Sequence, residues 1–168
     1  MTKGRVTNMN QLHLHLKKRF PDAVTELHAQ CGDETAFVKR ENFLEIAKFL
    51  KDDAAFDMNV LMDLTAVDGL GMDWSPRFEM VYHFFSLQRN HRLRIKVKVS
   101  EADAVMPSLV ALWPIADWLE REVWDMFGIK FEGHPNLKRI LMYEEFVGHP
   151  LRKDYPITKR QPLIGPKN

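Results

Sequence analysis

A single cysteine, Cys31, stands among the 168 residues, and that scarcity closes off several chemistries at once. One thiol can neither form an internal disulfide nor supply the thiolates of an iron–sulfur cluster, and it fits a chain kept in a reducing compartment. Cys31 also lies beside an expected turn with no histidine or cationic cluster around it, which argues against a nucleophile. Charge of one sign is missing as well. The 24 lysines and arginines face 23 aspartates and glutamates, for a net charge of +1. No whole-molecule field therefore draws in nucleic acid or an anionic membrane, so any such binding has to come from local patches. No stretch approaches the roughly 18 continuous apolar residues of a membrane span. Residues 1–20 lack the apolar core of a secretory signal, and membrane work is expected only as a peripheral passenger. Gly69-Leu70-Gly71 is too little for a dinucleotide fingerprint, and no glycine-rich loop ends in Lys-Ser or Lys-Thr.

What is present suits one domain with an ordered tail. At this length folding buries roughly 70% of the surface that the unfolded chain exposes, enough for a true core. Met9, Leu12, Leu16 and Phe20 recur at helical spacing, and Pro21 stops the run. Residues 23–30 and 35–39 flank Gly32-Asp33-Glu34 as a hairpin. Asn42 with Glu45 resembles a capping box opening a helix with Phe43, Leu44, Ile46, Ala47 and Leu50 on its apolar stripe. Residues 60–67 read as a strand, and residues 77–87 as a second one, apolar on both faces and so expected centrally in a sheet. In residues 92–99, Leu93, Ile95, Val97 and Val99 alternate with Arg92, Arg94, Lys96 and Lys98, a half-buried strand with a basic outer face. The fold class expected is α+β: a largely antiparallel sheet with two packed helices over residues 1–106. A helix segment follows over 107–130. An extended, Pro-rich tail occupies 131–168, too irregular to form its own core and expected to lie against the domain or a partner.

Rotation by about 100° per residue puts Ile115, Trp118, Leu119, Glu122, Val123 and Met126 on one face of that third helix. Glu122 then sits in the apolar stripe and needs a cation, with Arg139, Arg152 and Lys153 as candidates. It reads as a structural ion pair fixing the tail, or else as a catalytic acid or proton relay. Trp124 points away from the stripe, either as a contact surface or beneath the returning tail. Arg121 and Asp125, four apart, should pair along the helix. His13 and His15 diverge and cannot chelate together. His134 and His149, each in a Gly-His-Pro step, could converge with Asp154 on a metal, but their spacing matches no strong zinc pattern. In the simpler reading each imidazole bonds backbone carbonyls. The Lys138-Arg139 and Arg152-Lys153 pairs are interface candidates on irregular backbone.

Residues 118–142 closely resemble the signature of the C-subunit family of respiratory complex I, the NADH:quinone oxidoreductase. The resemblance rests on Glu120-Arg121-Glu122, Asp125-Met126-Phe127-Gly128-Ile129, Gly133-His134-Pro135 and Leu137-Lys138-Arg139-Ile140-Leu141. The run from Gly148-His149-Pro150 through Leu151-Arg152-Lys153-Asp154-Tyr155-Pro156 resembles the family's ending. Tyr143 and Phe146 depart from a proline and a tryptophan common there. The resemblance implies a non-catalytic peripheral-arm subunit beside the quinone-reducing module, on the cytoplasmic face of the bacterial inner membrane. Its tail would clasp the large D-subunit, and neighbouring iron–sulfur subunits would be partners of the chain, with membrane association only through the complex and no nucleic acid as partner. It also implies no catalytic group, cofactor or metal on this chain, flavin and clusters residing on partners. Trp118, Arg121, Glu122, Trp124, Asp125, His134, Lys138, Arg139, His149, Arg152, Lys153, Asp154 and Tyr155 are then structural or partner-interface residues. Three alternatives stay open. One is the equivalent subunit of a membrane-bound hydrogenase or ferredoxin-driven complex. The second is a stand-alone metal-dependent hydrolase built on Glu122, His134, His149 and Asp154. The third is a nucleic-acid binder using the basic strand.

Overall fold

The alternation of leucine, isoleucine and valine along residues 93–99 builds the strand about which the molecule is assembled. The computed structural model describes residues 11–161. Met9 of the first helical stripe and residues 162–168 of the tail lie outside them. In chain order the elements are α1 (Leu12–Arg19), β1 (Val24–His28), β2 (Thr35–Val38), α2 (Phe43–Asp52), β3 (Val60–Asp68), β4 (Phe78–Ser86), β5 (His91–Val99), β6 (Val105–Pro107), α3 (Ala116–Phe127) and β7 (Lys130–Glu132). Five strands form one sheet in the order β1-β2-β5-β4-β3, antiparallel throughout except where β2 runs parallel to β5. β6 and β7 pair in parallel as a separate ribbon.

The middle place belongs to β5, whose Leu93, Ile95, Val97 and Val99 are buried against the helices. β4 has partners on both sides, as its two apolar faces require, but lies one place off centre. The outer face of β5 is less basic than its sequence reads. Lys96 and Lys98 reach the buried Glu79 on β4 at 2.7 and 3.8 Å, and Arg94 reaches Asp33 at 2.8 Å. Three of the four cations are thus balanced by carboxylates, and the lysine ammoniums lie over the Phe37 ring.

α1 buries Leu12 and Leu16 and ends at Arg19, just before Phe20 and Pro21. Its first turn is capped from a distance: the Glu34 carboxylate accepts the amides of Gln11 and His13 and the Nδ1 of buried His13. An anion there answers the orphan donors and the positive end of the helix. His15 points elsewhere, to the ring of Phe56. α2 buries Phe43, Ile46, Ala47 and Leu50 as its stripe foretold, but the capping box does not form. Asn42 makes no side-chain cap, because a 3₁₀ turn over Arg40–Asn42 feeds into the helix and occupies those first donors with its own carbonyls. The β1–β2 turn likewise forms two residues earlier than Gly32-Asp33-Glu34, over Gln30–Gly32.

One continuous apolar core joins the helices and the sheet to Met106, Leu109, Trp113, Ala116, Val123, Met126, Phe127, Ile129 and Phe131. α3 therefore packs on the same core as α1 and α2, beside edge strand β3. Among the described residues no helix is long and apolar enough to cross a membrane.

Candidate functional site

The expected stripe of α3 is turned. Its buried residues are Ala116, Glu120, Val123, Asp125, Met126 and Phe127, whereas Ile115, Trp118 and Glu122 are exposed. The buried carboxylate is Glu120, not Glu122. The reason is that α3 is covered from two sides, by the core along 116, 120, 123 and 127 and by the tail along 121, 124 and 125. A single-stripe reading cannot represent two buried faces. Glu120 is fully buried; its Oε1 accepts the Leu109 amide at 2.6 Å and its Oε2 the Ser108 hydroxyl at 2.7 Å. Burial pushes its carboxyl up to about 7, more than those two donors pull it down. Burial likewise pushes the nearby Tyr82 hydroxyl well above the ordinary tyrosine value.

Arg121 does not pair with Asp125. Its guanidinium instead donates to the carbonyls of Lys138 and Arg139, both at 3.0 Å. Asp125 is fully buried, and one surface arginine could not satisfy its oxygens. The tail folds into a nest around it. Oδ2 accepts the consecutive amides of Ile140, Leu141 and Met142 at 3.1, 2.9 and 2.8 Å, and Oδ1 accepts Arg139 at 2.5 Å. Burial acts to raise this carboxyl, but the Met142 amide, Arg139 and the other two amides outweigh it and hold the group below the ordinary value. Arg139 continues to the carbonyls of Phe146 and Gly148, its guanidinium between the rings of Trp124 and Phe146. Trp124 is thus half-buried under the returning tail.

The tail next satisfies the carbonyls that end α3. His149 Nδ1 donates to Asp125 O at 3.0 Å, the Leu151 amide to Met126 O at 3.1 Å, and Arg152 Nε to Phe127 O at 2.6 Å. Further up the helix His134 Nε2 donates to Asp117 O at 3.1 Å while its Nδ1 accepts the Asn136 amide. Both histidines therefore bond backbone carbonyls. Burial, ahead of every other influence, lowers the His149 value. Glu122, His134, His149 and Asp154 lie at four separate places, and no group of three His, Cys, Asp or Glu side chains among the described residues converges as a metal cage would.

A second node ties the tail to the sheet. Asp68, buried at the end of β3, accepts Arg77 through Nε and Nη2 at 2.9 and 2.7 Å, the Leu70 amide at 3.0 Å and the Lys153 amide at 2.8 Å. Arg77 also holds Asp154 at 3.0 and 2.8 Å and Glu101 at 2.8 Å, and Glu101 meets Arg152. The Arg77 guanidinium keeps both Asp68 and Asp154 below their ordinary values. Lys153 contributes its backbone here, its side chain being exposed. Tyr155 stacks on Phe146 with ring centroids 5.9 Å apart. Asp68, Arg77, Glu101 and Glu120 were not legible as site residues. The only trace in the sequence is a charge of each sign at the two bases of the 69–76 loop. Lys138, like Trp118 and Glu122, remains exposed.

A chain with this sequence and this fold has relatives among known proteins. The sequence pattern of respiratory-chain NADH dehydrogenase, 30 Kd subunit, matches residues 36–161. The NADH-quinone oxidoreductase C-subunit of Citrifermentans bemidjiense is 49% identical over 158 residues, 93% of this chain and 96% of that one. The protein of the same name from Rhodobacter capsulatus is 45% identical over 153 residues, 89% of this chain and 74% of that one. Among solved structures, the trypsin-resistant fragment (1–134) of Nqo5 aligns with a TM-score of 0.67 at 32% identity, covering 76% of this chain and 99% of the fragment. A chain of the archaeal membrane-bound sulfane sulfur reductase, at 21% identity and a TM-score of 0.72 over 88% of this chain and 85% of its own length, shares the fold. With identity of this order along nearly the whole length, the chain belongs to the family of the 30 Kd subunit of respiratory-chain NADH dehydrogenase.

Proposed function

We propose that the chain is the C-subunit of a proton-translocating NADH:quinone oxidoreductase, and that it works as a scaffold of the peripheral arm rather than as a catalyst. The large D-subunit and the neighbouring iron–sulfur subunits are the partners of its 131–161 tail. Flavin and clusters belong to those partners, and the chain meets the membrane only through them, on the cytoplasmic face. The observation that carries this reading is the use made of its polar groups. Asp125, Arg139, Asp68, Arg77, Asp154 and Arg152 are spent on holding the tail, while Leu141, Val147, Leu151 and Ile157 are left facing outward. A long irregular segment that presents apolar side chains from a rigid support is built to be covered by another protein.

The test uses an N-terminally tagged chain purified from gently solubilised native membranes. The wild type should bring down iron–sulfur subunits and NADH:quinone reductase activity. Asp125→Ala should lower the amount of assembled complex several-fold and leave turnover per assembled complex unchanged. Normal assembly with lost turnover would overturn the scaffold reading and place chemistry on this chain. Co-purifying membrane subunits without NADH activity would assign it to a complex with another electron donor.

A further inference from the structure

The signature helix uses its polar residues unevenly. Glu120, Arg121 and Asp125 all bond within the chain, and Trp124 lies under the tail. Glu122 has neither a hydrogen bond nor an ion pair among the described residues, and it is exposed. It stands one turn beyond Trp118, whose indole is 62% exposed, and Trp118 follows Ile115, 50% exposed, by three residues. Positions 115, 118 and 122 fall on one side of a helix, so isoleucine, tryptophan and glutamate form one bare ridge. The tail does not reach it, because the tail crosses the flank of Arg121, Trp124 and Asp125.

The ridge carries one charge, the carboxylate of Glu122. Asp117 lies off the ridge, its carboxylate 3.4 Å from His134 Nε2, so Glu122 is the carboxylate that flanks the indole. The cations nearby are otherwise engaged or apart. Arg121 donates to two tail carbonyls, and Lys138 keeps its ammonium in solvent without an ion pair among the described residues. An exposed indole one turn from an exposed, unpaired carboxylate suits a guanidinium or ammonium, which can lie on the ring face and pair with the carboxylate together. Tryptophan is also the residue type most often found at the energetic centre of an interface.

We propose that Ile115, Trp118 and Glu122 form a second docking surface, separate from the tail, and that its occupant is a basic segment of a neighbouring subunit. That segment supplies an arginine or lysine which pairs with Glu122 over the Trp118 ring, with apolar residues against Ile115. The inference rests on the reading that the chain works inside a multisubunit complex.

The experiment places a photoreactive benzoylphenylalanine at position 118 of the tagged full chain, irradiates the assembled complex in native membranes and sequences the cross-linked peptide. The expected product joins position 118 to one partner peptide that carries arginine or lysine beside the cross-link. In parallel, Glu122→Lys should lower assembled complex by about tenfold, Glu122→Gln by less, and the isolated Glu122→Lys chain should unfold within about 2 °C of wild type. A cross-link to residues 1–10 or 162–168 of this chain, to lipid, or to a peptide without a basic residue overturns the proposal. So does full assembly of Glu122→Lys. If wild type assembles and the cross-link is wrong, this surface alone fails. If wild type brings down no other subunit, the scaffold reading fails with it.

Discussion

Glu120 and Asp125 sit five positions apart on one helix, both closed to solvent, and differ in depth and in what meets them. Asp125 receives three amides and a guanidinium; Glu120 receives one amide and one hydroxyl. Their effects on stability therefore have opposite signs. Asp125 and Asp68 titrate lower in the fold than in the unfolded chain. Their contribution is present above the ordinary carboxylate range and is lost as the pH falls below it, toward the lower values these groups take in the fold. Glu120 titrates at about 7 in the fold against an ordinary 4.5, so between those values the folded chain holds a proton that the unfolded chain releases. Stability then declines as the pH rises from about 4.5 to 7 and stays low above, by an amount on the order of 3 kcal/mol. Glu120→Gln keeps the acceptor for Leu109 and a donor for Ser108 without the charge. It should remove that decline, raising the melting temperature at pH 8 while changing it little at pH 5. Thermal unfolding of both proteins at the two pH values is the check, and parallel pH profiles would show that Glu120 is not the group responsible.

At the scale of elements, Gly128 decides how α3 meets the tail. It holds φ +78°, and a Cβ there would lie 2.6 Å from the His149 ring and 2.8 Å from the Arg152 guanidinium. Both side chains are bonded to carbonyls of the last turn, so neither can retreat without losing its anchor. Gly128→Ala should cost about 1–2 kcal/mol for the left-handed backbone, with a further loss from the displaced anchors. Hydrogen exchange should quicken at the Leu151 amide while β4 and β5 stay protected; an unchanged Leu151 amide would mean that the tail accommodates the methyl. The same junction shows what the sequence could and could not disclose. β5 and α2 were legible because each buries one face, and alternation or a 3.6-residue stripe records one face well. The sequence pattern of α3 fails at Glu120 and Glu122 because one buried face meets Ser108 and Leu109, 12 and 11 positions earlier, and the other is made by residues 14 to 25 positions later. The Asp68–Arg77–Asp154 node was invisible for a related reason: Arg77 and Asp154 are 77 positions apart, and no local pattern encodes such a meeting. The motif residues of the tail read as structural from the sequence, but their partners had to come from the fold.

The molecule as a whole has one core and a strap fastened at two places, and the fastenings differ in kind. Helix α3, itself part of the core, holds residues 139–152 through Asp125 and through the carbonyls of its last turn. The Asp68 node holds residues 153 and 154 through its own carboxylate and Arg77, which belongs to a hairpin loop and shares three carboxylates at once. Arg77→Met should therefore undo the far fastening alone. Removing one partner of a buried ion pair costs roughly 3–5 kcal/mol when the other stays buried, but Asp68 can reach water once residues 153 and 154 lift away, so part of that cost becomes local opening rather than global unfolding. Limited trypsin digestion of the isolated chain separates the two places. In the wild type, cleavage after exposed Lys159 and Arg160 should precede cleavage after Lys138, Arg139, Arg152 or Lys153. In Arg77→Met, cleavage after Lys153 should become fast while the 138–139 bonds keep their wild-type rate, because Asp125 still holds the amides that follow them and Arg152 stays bonded to Phe127 O. If both regions opened together, the strap would be a single cooperative unit, and its two nodes would act as one fastening despite lying on different elements.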